Sequence, residues 1–268
     1  MADFIARPDD GPVWITGASS GIGEAVALKL ARRGFTVIAT ARSDDKLNAL
    51  AARAEGSAGQ IVPAAGDVTD EAAMREIIER IEREHGAPAL AVLNAGVYLP
   101  VHANELETRA FHKSFDVNLR GVVNGLVPLV DSMKRAGRGQ IAIVSSVTAY
   151  GGLPTSAAYG ATKAALTNMA ESLKFDLDKM NITIQAVHPG FVDTPATRGN
   201  PFPMPALMDV EDAARRIVAG LGKPGFEITF PRRFTYMLKL LGLLPYPLYF
   251  RALNRFTGWS KRPLGKKG

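Results

Sequence analysis

Along most of the chain, short unbroken apolar runs alternate with longer segments in which apolar positions recur every three or four residues. The first pattern suits a strand buried on both faces, the second a helix with one buried face. Val13-Trp14-Ile15 reads as the opening strand, closing at Thr16-Gly17. Residues 21–33 follow as a helix, with Ile22, Val26 and Leu30 four apart. Further strands are predicted at 35–40, 61–65, 89–93, 140–144, 182–187 and 226–230. Helices are predicted at 44–55, 70–85, 105–136, 157–180 and 211–221, and in the second of these Met74, Ile77, Ile78 and Ile81 share a face. Strand–helix alternation with near-continuous apolar strands implies a parallel sheet covered on both sides, a doubly wound α/β fold. No internal repeat or low-complexity segment interrupts it.

Composition narrows the class. The chain has 268 residues, 47% of them hydrophobic and 22% charged, with no cysteine. That length suits one α/β domain with a short appendage. Without cysteine there is no disulfide framework, thiol nucleophile or thiolate metal site, which fits a reducing compartment. The first residues lack the basic-then-apolar order of a secretory signal. The longest uncharged apolar stretch, residues 240–250, is broken by Pro245 and Pro247 and falls well short of the ~20 residues that span a bilayer. A cytoplasmic location is therefore expected. The net charge of +6 is uneven: residues 231–268 carry nine Lys or Arg and no acid, leaving 23 basic against 26 acidic groups elsewhere. With no basic face on the body, nucleic acid is not an expected partner. The division expected is 1–230 for the catalytic domain and 231–268 for a basic, aromatic-rich segment.

Between the first strand and helix stands Thr16-Gly17-Ala18-Ser19-Ser20-Gly21-Ile22-Gly23. A turn there lies at the carboxyl edge of the sheet, where ligands bind. Its glycines let the backbone approach a pyrophosphate, and the helix N-terminus adds free N–H groups and a positive dipole. Gly17 to Gly21 also satisfies the G-x-S-x-G elbow of hydrolases, but Gly23 extends the motif in the phosphate-binding sense and only His188 sits at a strand end. After the second strand no acid occurs before Asp44. Arg42 is placed to pair with a ribose 2′-phosphate, which favours NADP(H) over NAD(H).

Tyr159 and Lys163 are four apart on a predicted helix, hence on one face. A nearby ammonium stabilises a phenolate, which would bring the tyrosine towards useful acid–base chemistry. Ser146 follows a strand and reaches the same sheet edge, where its hydroxyl can bond a substrate carbonyl. Separately, a Y-x-x-x-K pair is usually surface decoration; the combination carries the weight.

Together these motifs resemble a short-chain dehydrogenase/reductase of single-domain, Rossmann-type fold over about residues 11–230. The carriers are the Thr16 to Gly23 turn, Asp67-Val68, Asn94-Ala95-Gly96, Asn118, Ser146, Tyr159 with Lys163, and Pro189-Gly190 followed by Thr194, all in family order. The resemblance implies an oxidoreductase moving a hydride between NADP(H) and a carbonyl or alcohol. Tyr159 would be the general acid, Lys163 would hold the nicotinamide ribose, Ser146 would polarise the carbonyl and Asn118 would support a proton relay. It further implies cofactor contacts from Gly17, Ser19, Ser20, Gly21, Ile22, Gly23, Arg42, Asp67, Val68, Asn94, Ala95, Gly96, Tyr159, Lys163, Pro189, Gly190, Val192 and Thr194. Ser20 stands where some NADP users carry Lys or Arg, which leaves Arg42 as the main 2′-phosphate anchor, with Ser20 or Ser43 assisting. The alternative is a non-catalytic NADP(H)-binding sensor or scaffold, which would be expected to lose Tyr159 or Lys163. The resemblance also implies a homodimer or homotetramer built on helices 105–136 and 157–180.

No histidine pair has metal-ligand spacing and no metal is expected; the Asn181-Ile182-Thr183 sequon is read as silent. Residues 191–209 hold Pro195, Pro201, Pro203 and Pro205 among Phe202, Met204, Leu207 and Met208, and match the family's substrate lid. With Leu153, their lining suggests a hydrophobic or bulky substrate, or else a loop merely packed on the body. Residues 231–268 carry seven of the chain's aromatic residues among their basic ones. They read either as an interfacial membrane anchor or as a flap, with Leu240, Leu241, Leu244, Tyr249 and Phe250 packed over the cleft or a subunit interface.

Overall fold

A computed structural model describes residues 3–198 and 204–263. Seven strands form one wholly parallel sheet: β1 (Val13–Thr16), β2 (Thr36–Thr40), β3 (Gln60–Pro63), β4 (Leu90–Leu93), β5 (Gly139–Val144), β6 (Ile182–Pro189) and β7 (Glu227–Phe230). Their order is β3-β2-β1-β4-β5-β6-β7, so the winding reverses between β1 and β4 and opens a crevice at their carboxyl ends.

Alternation along each strand sorts side chains to two cores. Val13, Ile15, Val37 and Ala39 face one side, under α1 (Gly21–Ala31), α2 (Asp44–Ala52) and α7 (Val210–Leu221). Trp14, Ile38, Ala91, Leu93, Ile141 and Ile143 face the other, under α3 (Glu71–His85), α5 (Gly121–Ala136) and α6 (Ala157–Leu177). The Trp14 indole N–H donates to Thr40 Oγ1 at 2.9 Å, and its ring lies so close to Gly125 that a Cβ there would sit 2.7 Å away. A buried tryptophan thus keeps a partner for its N–H while α5 approaches the sheet closely.

Helix starts follow local chemistry. Asp70 caps α3 by accepting from Ala73 N, and Asp209 caps α7 through Glu211 N and Asp212 N, so both helices begin one residue away from the predicted bounds. The predicted helix 105–136 is divided: α4 (Thr108–Phe115) runs into a π-helical turn over Asp116–Arg120 and then into α5. Apolar periodicity continues across the join, which is why the sequence reads as one helix. The tail forms α8 (Arg232–Gly242) and α9 (Tyr246–Thr257) with a 3-10 turn, Trp259–Lys261. Among the described residues no helix is long and apolar enough to cross a membrane.

Candidate active site

The crevice is a cavity of about 680 Å³. Its floor is the β1–α1 turn, where Gly17 (φ +67°) and Gly21 (φ +58°) take left-handed conformations that suit glycine. A Cβ on Gly17 would sit 2.8 Å from Ala95 Cα. Asn94 locks the turn: its Nδ2 donates to the Thr16 and Gly17 carbonyls at 3.1 and 3.2 Å. Thr16 Oγ1 accepts from the backbone N–H groups of Asn94 and Ala95 in return. Asn94 therefore acts on the glycine turn through its side chain, a link invisible to spacing alone. Ser20 is the N-cap of α1, makes no side-chain capping bond, and lines the crevice.

Arg42 is exposed on the cavity wall beside Asp67. Burial raises the Asp67 carboxyl, but hydrogen bonds from Thr69 N–H and hydroxyl and the charges of Arg42 and Lys113 outweigh it and hold it low. Ser43 accepts from Lys46 N as the cap of α2. Asn124 Nδ2 donates to the Val68 carbonyl at 2.9 Å, fixing the Asp67–Val68 pair from α5.

Tyr159, Ser146 and Lys163 lie at the inner end. Tyr159 rides on the first turn of α6, with its ring edge-on to Tyr98 at 5.2 Å and the Ser146 hydroxyl bonded to its phenol. Burial pushes the phenol up to about 12, against the Ser146 hydrogen bond. The lowering expected from Lys163 is not seen: its Nζ stands 5.5 Å from the ring centroid and donates to the Val144 carbonyl at 2.7 Å instead. Burial brings the Lys163 ammonium down to about 8.

All the candidate residues named from the sequence line this cavity except Gly23, Ser43 and Asn118. Gly23 is packed beneath the turn against Gly17 and Asn94. Asn118 is fully buried in the π-helical turn, where Oδ1 accepts from Val97 N–H and Nδ2 donates to the Val97 carbonyl and Thr162 Oγ1. Its side chain is committed to holding the loop after β4. Of the lid, Phe191, Pro195 and Pro205 reach the cavity; Pro201, Phe202 and Pro203 lie outside the described residues. Sequence reasoning missed Tyr98, held by Thr155 Oγ1 at 2.8 Å, and the particular tail residues that wall the cavity, among them Phe234, Leu238, Leu253, Phe256, Trp259 and Arg262. The flap expectation is met by different residues: of those named, Tyr249 is buried and donates to the Gly152 carbonyl, while Leu240, Leu244 and Phe250 are exposed. His188 does not line the cavity, which removes the elbow reading of Ser19.

Behind that wall, His188 bonds Thr167 through Nε2 at 3.0 Å and faces Glu227 Oε1 through Nδ1 at 3.2 Å. Tyr150 and Lys239 donate to Glu227 at 2.8 and 2.5 Å. Burial raises the Glu227 carboxyl, but these three contacts win and bring it to about 2 from the usual 4.5. A carboxyl so lowered stabilises the fold above pH 4.5 and ceases to do so as pH falls towards about 2. Glu227→Gln is expected to cost about 2 kcal/mol at neutral pH. The gap from the parent should close through that acid window in urea titrations; a gap independent of pH would refute the assignment.

A family model described as short chain dehydrogenase matches residues 12–201. An uncharacterized oxidoreductase of Myxococcus xanthus is 36% identical over 241 residues, 90% of this chain and 95% of that protein. A 3-oxoacyl-(acyl-carrier-protein) reductase of Thermotoga maritima is 36% identical over 187 residues, covering 70% of this chain and 76% of the relative. Among solved structures, an alcohol dehydrogenase of Thermococcus sibiricus complexed with 5-hydroxy-NADP superposes with a TM-score of 0.73 at 28% identity, over 82% of this chain and 95% of that one.

Proposed function

The chain belongs to the short-chain dehydrogenase family, and we propose that it is an NADP(H)-dependent carbonyl reductase acting on an apolar carbonyl compound. The observation that carries this reading is that the Tyr159–Ser146–Lys163 group opens into the same cavity as the glycine turn and Arg42.

The residues fit a dinucleotide. The glycine turn offers left-handed backbone at the N-terminus of an eleven-residue helix, a cradle that side chains would fill. There it would hold the pyrophosphate, with Arg42 and Ser20 at the 2′-phosphate, Asp67 and Val68 at the adenine, and Asn94, Ala95, Gly96 and Thr194 towards the nicotinamide. When bound, the cofactor supplies the hydride that reduces the carbonyl carbon. Tyr159 Oη gives its proton to the carbonyl oxygen, and the high phenol pKa keeps that proton in place across neutral pH. Ser146 Oγ orients the oxygen against Tyr159. Lys163, charged below about pH 8, supports the developing phenolate. The apolar wall from α8 and α9 excludes water and favours a hydrophobic substrate. Exposed Phe115, Val123, Val127 and Phe175 on α4–α6 support a homo-oligomer built on that face.

Side-by-side titration with NADPH and NADH tests the cofactor. The parent should prefer NADPH, and Arg42→Ala should weaken NADPH roughly thirtyfold, about 2 kcal/mol for one charge-assisted contact, while NADH changes little. Preference for NADH would overturn the role of Arg42, and binding of neither would overturn the function.

A further inference from the structure

Residues 242–248, where α8 turns into α9, are exposed without a break. Leu243 is 81% exposed and Tyr246 76%, and Leu240, Leu244, Leu248 and Phe250 stand open around them. A monomeric protein does not usually present so many large apolar groups together. The two helices have their apolar ends at the turn and their basic ends set back from it. On α8 the charges free of an acid are Arg232 and Arg233, about 15 Å from Leu243 along the axis, since Lys239, nearer the turn, is paired with Glu227; on α9 they are Arg251 and Arg255, beginning about 8 Å beyond Tyr246. No acid occurs anywhere in residues 231–268.

We propose that this hairpin docks the protein on an anionic lipid bilayer, with the 242–248 tip in the acyl boundary and the arginines at the phosphate level. An apolar tip ahead of a basic collar is the arrangement that interfacial anchoring needs. A helix of this length does not span a bilayer, so the contact is peripheral. A second copy of the chain is a poor occupant, because self-pairing would bring two acid-free basic collars together. The inner faces of the same helices line the cavity through Phe234, Leu238 and Leu253. Docking therefore sets one cleft wall against the membrane, and an apolar carbonyl compound can pass from lipid to the cleft without crossing water. The docking stands on the tip and its charges alone; only this delivery route rests on the proposed reductase activity.

Flotation of the full chain with vesicles of phosphatidylcholine, and of phosphatidylcholine mixed with phosphatidylglycerol, tests it. The protein should float with the anionic vesicles, and high salt should weaken that binding. A Leu243→Asp/Leu244→Asp variant should lose about tenfold in binding, and Arg251→Glu/Arg255→Glu should abolish the anionic preference. All four side chains are exposed and none lines the cavity, so NADPH binding by both variants should match the parent. No flotation, or flotation untouched by both variants, overturns the proposal. So does a parent dimer that the leucine variant converts to monomer without any vesicle binding, which would assign the tip to a second copy. Loss of NADPH binding by the parent would instead strike the reductase reading and leave the docking intact.

Discussion

Tyr159→Phe is expected to lower kcat for NADPH-dependent carbonyl reduction by about a thousandfold, while NADPH binding stays within about twofold of the parent. The phenylalanine ring keeps the edge-on packing with Tyr98 at 5.2 Å, so the variant removes the acidic proton and the bond to Ser146 while leaving the packing. Burial lifts the phenol to about 12, so Tyr159 is protonated throughout the neutral range and the parent's reductive rate should be flat there. It should decline above about pH 8, where Lys163 loses its charge. The residual rate of the variant should lose that decline, because no phenolate develops beside Lys163. Single-turnover NADPH oxidation over a pH series measures both features. Undiminished turnover in the variant would remove Tyr159 from the chemistry and favour a binding protein on the same fold.

Gly23→Ala should be the most damaging single methyl in the glycine turn. An added Cβ would collide with the Gly17 carbonyl oxygen and come within 2.5 Å of Asn94 Nδ2. Neither neighbour can yield: one is backbone, and the other is tied to the Thr16 and Gly17 carbonyls. Overpacking of this kind costs about 3 kcal/mol, and the displaced turn should weaken NADPH binding by more than about tenfold. Gly222→Ala is the control, since its Cβ meets nothing closer than 3.9 Å. Urea denaturation and fluorescence titration of both variants give the comparison. Equal behaviour would mean that the turn tolerates movement and that its geometry is not what positions a dinucleotide.

The strands were legible because a parallel sheet covered on both faces needs apolar residues at consecutive positions, as in Val13 to Ile15 or Ile141 to Val144. The glycine turn and the Tyr159–Lys163 pair were legible because the constraint there is local: a left-handed backbone in one case, a single helical turn in the other. What escaped depends on contacts distant in sequence. Asn118 reads as part of a continuous helix, since a π-helical turn adds backbone without breaking the apolar rhythm. Tyr98 is recruited by Thr155, and the tail's wall reaches a site built mostly from residues before 195. The phenol of Tyr159 shifts opposite to the sequence expectation because its burial depends on packing that spacing does not describe. In the tail, leucine and aromatic content alone does not separate Tyr249, which is buried, from Phe250, its exposed neighbour.

The cleft draws its proposed reactive groups from one stretch of chain and an opposing wall from another. The proposed proton donor and its helpers end with α6, and that wall comes from α8, α9 and the turn that follows. The two stretches meet at few points, where Tyr249 holds the Gly152 carbonyl, Phe234 and Leu238 pack on Val147, and Lys239 shares Glu227 with Tyr150. Replacements in the last two helices that spare those contacts can alter which molecule is admitted while the proposed bond-making groups stay in place, so descendants of one gene can diverge in diet while sharing a single reaction.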